Sequence, residues 1–263
     1  MSYAPDHRAP RRAASDSLRG LAGRAGAGIL VAAVGLLTAG CSVKGADNAN
    51  VIAGKKAFVA KCGSCHTLAR AETKGIVGPN LDEAFRASIA EGLERASVRG
   101  VVEYQIENPN KDGVMPKGLA SGATLRDIAA YVAQVTDQPG KDTGLLATAV
   151  EAPGSGKPAV ETAGKLSIAA SPSGQLAYVT SKASASAGTV TIEMPNMSGV
   201  SHNIAVEAGE HGASGSGTVI GASEFTTHGT PKVTVSLKAG TYTFFCQAPG
   251  HRAAGMYGTI VVK

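Results

Sequence analysis

The sequence predicts two domains of different class behind an N-terminal export segment: a helical domain first, then an all-β sandwich. Three observations predict it. Apolar residues recur at helical spacing from Val51 to about Asp137, and the spacing changes to two after Lys165. The stretch between them, 138–164, is rich in Pro, Gly, Ala, Ser and Thr and has no period. A length of 263 residues suits two small domains, and 17% charged with 43% hydrophobic residues fits neither a disordered chain nor a polytopic membrane protein.

Residues 1–40 carry Arg8, Arg11, Arg12, Arg19 and Arg24 against Asp6 and Asp16, which is most of the formal net charge of +5. The remainder is nearly balanced and forms no basic stripe, so a nucleic-acid partner is not expected. From Ala25 to Val43 there is no charge at all. A positive flank, an apolar run and then small residues is the order of a secretory signal. The run closes on Leu37-Thr38-Ala39-Gly40-Cys41, which resembles a bacterial lipoprotein processing site, with Cys41 as the lipid carrier. Thr38 stands where that pattern usually has leucine. The same run is long enough to remain as a single uncleaved span, and plain cleavage is a third outcome. Residues 1–40 are therefore read as signal peptide or membrane anchor and 41–50 as a tether. All three readings put the rest outside the bacterial cytoplasmic membrane, in a periplasmic or extracytoplasmic location.

In the helical domain, 51–137, one helix is expected through Val98, Val101, Val102, Tyr104 and Ile106 after Ser97 as N-cap. Another runs through Leu125, Ile128, Ala129, Tyr131, Val132 and Val135 after Thr124. Residues 138–164, with Pro139, Pro153 and Pro158, read as a flexible linker that would span about 30 Å as a coil. In the β domain, 165–263, Val190, Ile192 and Met194 alternate with polar residues, as do Val233, Val235 and Leu237. Tyr242, Phe244 and Cys246 share a face, and the chain ends in a strand around Thr259 to Val262.

Cys62-Gly63-Ser64-Cys65-His66 fits C-x-x-C-H, the attachment motif for c-type haem. Two thiols three apart on a helical turn can both bond the haem vinyl groups, and the adjacent imidazole then lies under the iron. A zinc site would need a second cysteine pair and a thioredoxin-like dithiol a βαβ setting; neither is present. Downstream, Met115-Pro116 lies in a loop before the last helix of the domain. The segment resembles a small class I cytochrome c. Gly54 and Phe58 match that family's first helix, which meets the last helix near Tyr131, and Gly78-Pro79-Asn80-Leu81 matches its proline loop. The resemblance implies an all-α domain with one covalent haem, His66 and Met115 as axial ligands, and the Pro79 carbonyl orienting His66. With both axial positions closed, it implies electron transfer and not substrate chemistry.

Phe245-Cys246-Gln247-Ala248-Pro249-Gly250-His251 continues to Met256 as C-x4-H-x4-M, and Ser201-His202-Asn203-Ile204 adds an upstream histidine. One thiolate, two imidazoles and a weak thioether are the donors of a type 1 copper site. The region resembles the cupredoxins, which implies a Greek-key sandwich holding one copper on His202, Cys246, His251 and, axially, Met256. Small residues around His251 would let a redox partner approach closely. Arg252, the one charge there, is read as tuning docking or as solvated. His211 and His228 are read as solvated loop residues, Met194 as core, and Met197 as packing or lining the site.

Together these features predict an exported electron carrier, not an enzyme, that relays single electrons between haem and copper. Its partners would be redox proteins, by family analogy a quinol-oxidising complex and a terminal oxidase or reductase. A copper carrier or redox sensor, or the electron-donor module of a reductase or oxidase, is the alternative. A dinuclear copper centre would need two bridging cysteines where only Cys246 is available. A nitrite-reducing copper would need three further histidines where only His211 and His228 are unassigned.

Overall fold

The computed structural model describes residues 48–263, so the export segment, most of the tether and Cys41 lie outside the described residues. Among the described residues no helix is long and apolar enough to cross a membrane. The described residues, 48–263, belong to one compact unit.

The helical part opens with α1 (Val51–Lys61), started by Asn50, whose side chain accepts hydrogen bonds from Ile52 N and Ala53 N. A two-residue ribbon follows, β1 (Thr67–Leu68) against β2 (Thr73–Lys74), so the domain is helical but not purely so. Then come α2 (Leu81–Ala90), α3 (Arg95–Glu107) and α4 (Gly122–Val135). The crossing of α1 and α4 depends on Gly54: a Cβ there would stand 2.0 Å from Asp127 O and 2.9 Å from Tyr131 Cβ. One turn on, the Phe58 and Tyr131 rings meet at 6.3 Å, both buried. Two details differ from the sequence reading. Helix α3 starts at Arg95 and α4 at Gly122, so Ser97 and Thr124 lie inside the helices and do not cap them. On α3 only Val98, Val102 and Ile106 are buried, while Val101 and Tyr104 are exposed. The stripe is the narrow i, i+4 row, because α3 packs mainly on one neighbour, α4.

The segment expected to be a flexible linker is packed instead. After the one-turn helix α5 (Gly144–Ala147), strand β3 (Ala159–Val160) joins a sheet beside β5 (Lys182–Ala185). Upstream, Asp142 is buried and meets Lys55 Nζ at 3.0 Å and Arg70 Nε at 2.9 Å, and it accepts a hydrogen bond from Tyr131 Oη at 2.9 Å. Lys55 Nζ also donates to Leu146 O. Composition hid this, because one aspartate reaching back to three partners leaves no periodic trace.

The β part is a sandwich of two sheets. One has β4 (Lys165–Ser167), β6 (Gly188–Glu193) and β9 (Lys232–Leu237). The other has six strands in the order β3, β5, β11 (Tyr257–Val262), β10 (Gly240–Phe245), β7 (Ala205–Ala208) and β8 (Val219–Ala222). Leu166, Val190, Ile192, Met194, Val206, Val235, Phe244 and Ile260 fill the space between, so the alternation read on β6 and β9 is real; Tyr242, Phe244 and Cys246 face this core as expected, but Thr243 and Phe245 on the other face of β10 are buried too. Strands β7 and β8 do not alternate, and β5 alternates only through the small Ala183 and Ala185 over four residues, so all three give little signal.

Candidate metal centre

The metal ligands gather at one end of the sandwich, where the chain leaves regular strands. Cys246 follows β10 directly, and the one-turn helix α6 (His251–Ala254) carries His251 at its first position. Gly250 and Gly255 bracket the four residues of α6 with φ of 80° and 116°, values in the left-handed region that let the loop turn back into β11. His202 comes from the segment before β7, where it bridges to Thr226.

Among the described residues, His202, Cys246 and His251 are the group that could hold a metal, with all ligand atoms within 4.8 Å of one another. Cys246 Sγ is 3.9 Å from His202 Nδ1 and 3.5 Å from His251 Nδ1, and the two Nδ1 atoms are 3.1 Å apart. Two imidazole lone pairs aimed at one point repel unless a proton or a cation lies between them. Burial lowers the pKa of both histidines, His202 to about 4 with His251 adding repulsion, so they stay neutral as a metal requires. Burial raises the Cys246 thiol, while the backbone N–H groups of Asn203 and Ala248 oppose that rise; a bound cation would draw off the proton. The residues fit copper: one thiolate and two neutral imidazoles are the strong donors of a blue-copper site. Met256 is fully buried, and its N–H donates to His251 O while its carbonyl accepts from Cys246 N, so it is tied to both ligand segments.

The sequence reading did not foresee what fixes this end. Asn203, fully buried, accepts from Gln247 N at 2.8 Å and donates to Gln247 Oε1 at 2.8 Å, joining the His202 segment to the Cys246 segment. Tyr178, buried and edge-on to Phe244, donates to Asn203 O at 2.7 Å. A plain Asn beside His202 could have suggested the first; nothing local to Tyr178 suggests the second. Arg252 neither stands free for docking nor is solvated. It pairs through two nitrogens with the buried Glu207, donates to Gly212 O at 2.8 Å and lies 4.1 Å over the Phe245 ring. Met194 is core as expected, but Met197 is 70% exposed and packs on nothing substantial. His228 is exposed, whereas the exposed His211 hydrogen-bonds Ala208 O at 2.8 Å and so organises its loop.

In the helical part the C-x-x-C-H segment is equally ordered. Cys62 caps α1, and the N–H groups of Cys65 and His66 turn back to Cys62 O. Neither cysteine is in a disulfide, and burial pushes the Cys62 thiol up to about 12. His66 Nδ1 lies 2.9 Å from Pro79 O, the contact expected of that pair. Gly78 is flat against the ring, for a Cβ there would stand 2.5 Å from His66 Cε1. Met115 is half-buried against the helical core.

Residues 166–263 match the family of copper binding proteins that comprises plastocyanin and azurin. A stretch of 43 residues is 54% identical to rusticyanin of Acidithiobacillus ferrooxidans, covering 16% of this chain and 23% of that protein. The chain thus aligns with about a quarter of that relative's length. Among solved structures, an auracyanin of Roseiflexus castenholzii matches with 24% identity over 39% of this chain and 99% of its own, TM-score 0.35. Auracyanin A, a blue copper protein of Chloroflexus aurantiacus, matches with 27% identity over 41% of this chain and all of its own, TM-score 0.32. Cupredoxins carry single electrons on type 1 copper. His202, Cys246 and His251 all lie inside the matched stretch, and the region 166–263 of this chain is a cupredoxin domain of the plastocyanin/azurin family.

Proposed function

We propose that the chain is an exported, membrane-anchored electron relay with two one-electron centres, a covalent c-type haem and a type 1 copper. Cys62 and Cys65 would hold the haem, His66 and Met115 its iron; His202, Cys246, His251 and Met256 would hold the copper. Bound there, each metal supplies a one-electron couple.

The observation that carries the haem half is the His66 to Pro79 contact at 2.9 Å. When Nδ1–H donates to a carbonyl, the Nε2 lone pair is the one left free, which selects the tautomer a metal needs. Val77 and Val114, close in sequence to Pro79 and Met115, are 61% and 75% exposed, surface that a large flat apolar group bound there would cover. In the copper half, Asn203 and the Arg252–Glu207 pair hold the ligand segments still, which limits the rearrangement that would accompany a change of charge.

With Met115 and Met256 included, both donor sets would be closed by protein atoms. Neither leaves a position for a substrate, and electron transfer is the chemistry that remains. The expected partners are redox proteins on the outer face of the cytoplasmic membrane, a quinol-oxidising complex and a terminal oxidase or reductase. Cys41 lipidation would supply the anchor; Cys41→Ser would then abolish lipid labelling, and an unlabelled wild-type protein would rule it out.

Mass and metal analysis of the purified exported chain tests the reading. The expected result is one covalent haem and one copper per chain. Copper with unmodified thiols at Cys62 and Cys65 would reduce the protein to a single-centre cupredoxin.

A further inference from the structure

The loop 74–78 touches two sites at once. On one side it wraps the C-x-x-C-H segment: Gly78 N donates to Cys65 O at 2.8 Å, and Gly78 lies on the His66 ring. On the other side Ile76 reaches the copper loop. Its Cδ1 and Cγ1 lie 3.0 and 3.3 Å from the point where a Cβ on Gly250 would stand, and Lys74 Nζ lies 4.0 Å from the same point on Gly255. Gly250 immediately precedes the ligand His251, and a side chain in its place would push Ile76 away.

A second seam lies behind the first. A Cβ on Gly174, in the β part, would stand 2.8 Å from Ala60 O, two residues before Cys62. The segment 138–164 fastens both parts as well. Asp142 and Leu146 are bound to Lys55, and Glu151 O accepts from Gln175 Nε2 at 3.1 Å. One side-chain contact at Gly250, one backbone approach at Gly174 and a packed strap leave little of the freedom a coil would give.

We infer that loop 74–78 is a built-in docking surface for the copper loop, so that the partner seated beside His251 is the C-x-x-C-H segment of the same chain. The meaning of this docking as an electron path rests on the proposed function; the docking itself does not. Its contact is an isoleucine on a glycine, apolar and free of ion pairs, so salt should not weaken it. Ile76 keeps 72% of its surface exposed, so the contact is small, and a charge in its place should lift loop 74–78 off the copper loop while the strap and the Gly174 seam keep the two parts of the chain joined.

The test is amide NMR of the full chain with oxidised copper, compared with the same protein carrying zinc in place of copper and with every other centre in the same state. Copper(II) relaxes nearby nuclei and zinc does not. The expected result is loss of the Lys74, Ile76 and Gly78 signals in the copper form together with those of Asn203 and Gly250. In Ile76→Asp the Lys74 and Ile76-position signals should return while Asn203 and Gly250 stay lost and the thiolate-to-copper band is unchanged. Signals from 74–78 that are as sharp with copper as with zinc in the wild-type chain would overturn the docking, and that comparison needs no variant to fold. Signals still lost in Ile76→Asp would overturn the part given to Ile76. Unmodified Cys62 and Cys65 in the same sample would defeat the haem reading and leave the docking result standing.

Discussion

Arg252 and Glu207 form a two-pronged ion pair directly behind the copper ligand His251, with Glu207 1% exposed and the Arg252 side chain 13% exposed. Glu207 sits at the bulge of β7, where the register against β8 shifts, and Arg252 is the second residue of α6. The pair therefore ties the metal loop to the sheet. A charge buried this deeply is expensive when its partner is removed.

Glu207→Ala should accordingly lower the unfolding free energy of the copper domain by about 3–5 kcal/mol, the cost of leaving a buried cation unpaired. Chemical denaturation followed by the copper band measures it. The double variant Glu207→Ala, Arg252→Ala should recover part of the loss; an Arg252 that was merely solvated would show no such coupling.

Asp142 plays the comparable part in the helical domain, gathering Lys55, Arg70 and Tyr131. In Asp142→Ala the two cations lose their common partner, and a loss of about 3 kcal/mol or more is expected. The strap should also open, so limited proteolysis should cut within 138–164 at least several times faster than in the wild type. Equal cleavage rates would mean that the strap is held by something other than Asp142.

The metal-free copper domain should lose stability in mild acid. His202 has a pKa of about 4 in the fold against about 6.5 when unfolded, so between those values the unfolded chain binds more protons. Its contribution is complete above pH 6.5, falls as pH drops through this window and levels off below about 4. Unfolding of the metal-free protein at a series of pH values checks this, and His202→Gln should flatten the curve in the same window.

Cys246→Ser should remove the thiolate-to-copper charge-transfer band and leave a haem spectrum intact, while Met115→Ala should disturb only the haem. Loss of both spectra in either variant would show that the sites do not fold as separate centres.

Much of this was legible in the residues. Val190, Ile192 and Met194, and Val233, Val235 and Leu237, alternate because each strand has one face in the core, and that face is what hydrophobic patterning reports. The metal ligands were legible because the chemistry of one thiolate and two imidazoles admits few arrangements, and the structure brings His202, Cys246 and His251 together. What escaped notice was long-range and polar. Tyr178 to Asn203, Arg252 to Glu207 and Asp142 to Lys55 each pair residues far apart in the chain, and a side chain's distant partner is not encoded in its neighbours. The strap was misread for the same reason, since Pro and Gly mark turns equally well in a free linker and in a segment laid along a surface.

The central claim is that haem and copper exchange electrons within one chain, and flash reduction of one centre followed at both absorption bands tests it most directly. The account predicts first-order equilibration with a rate that does not change with protein concentration and changes little with salt. A rate that rises in proportion to protein concentration would contradict it, showing that each centre serves a separate external partner.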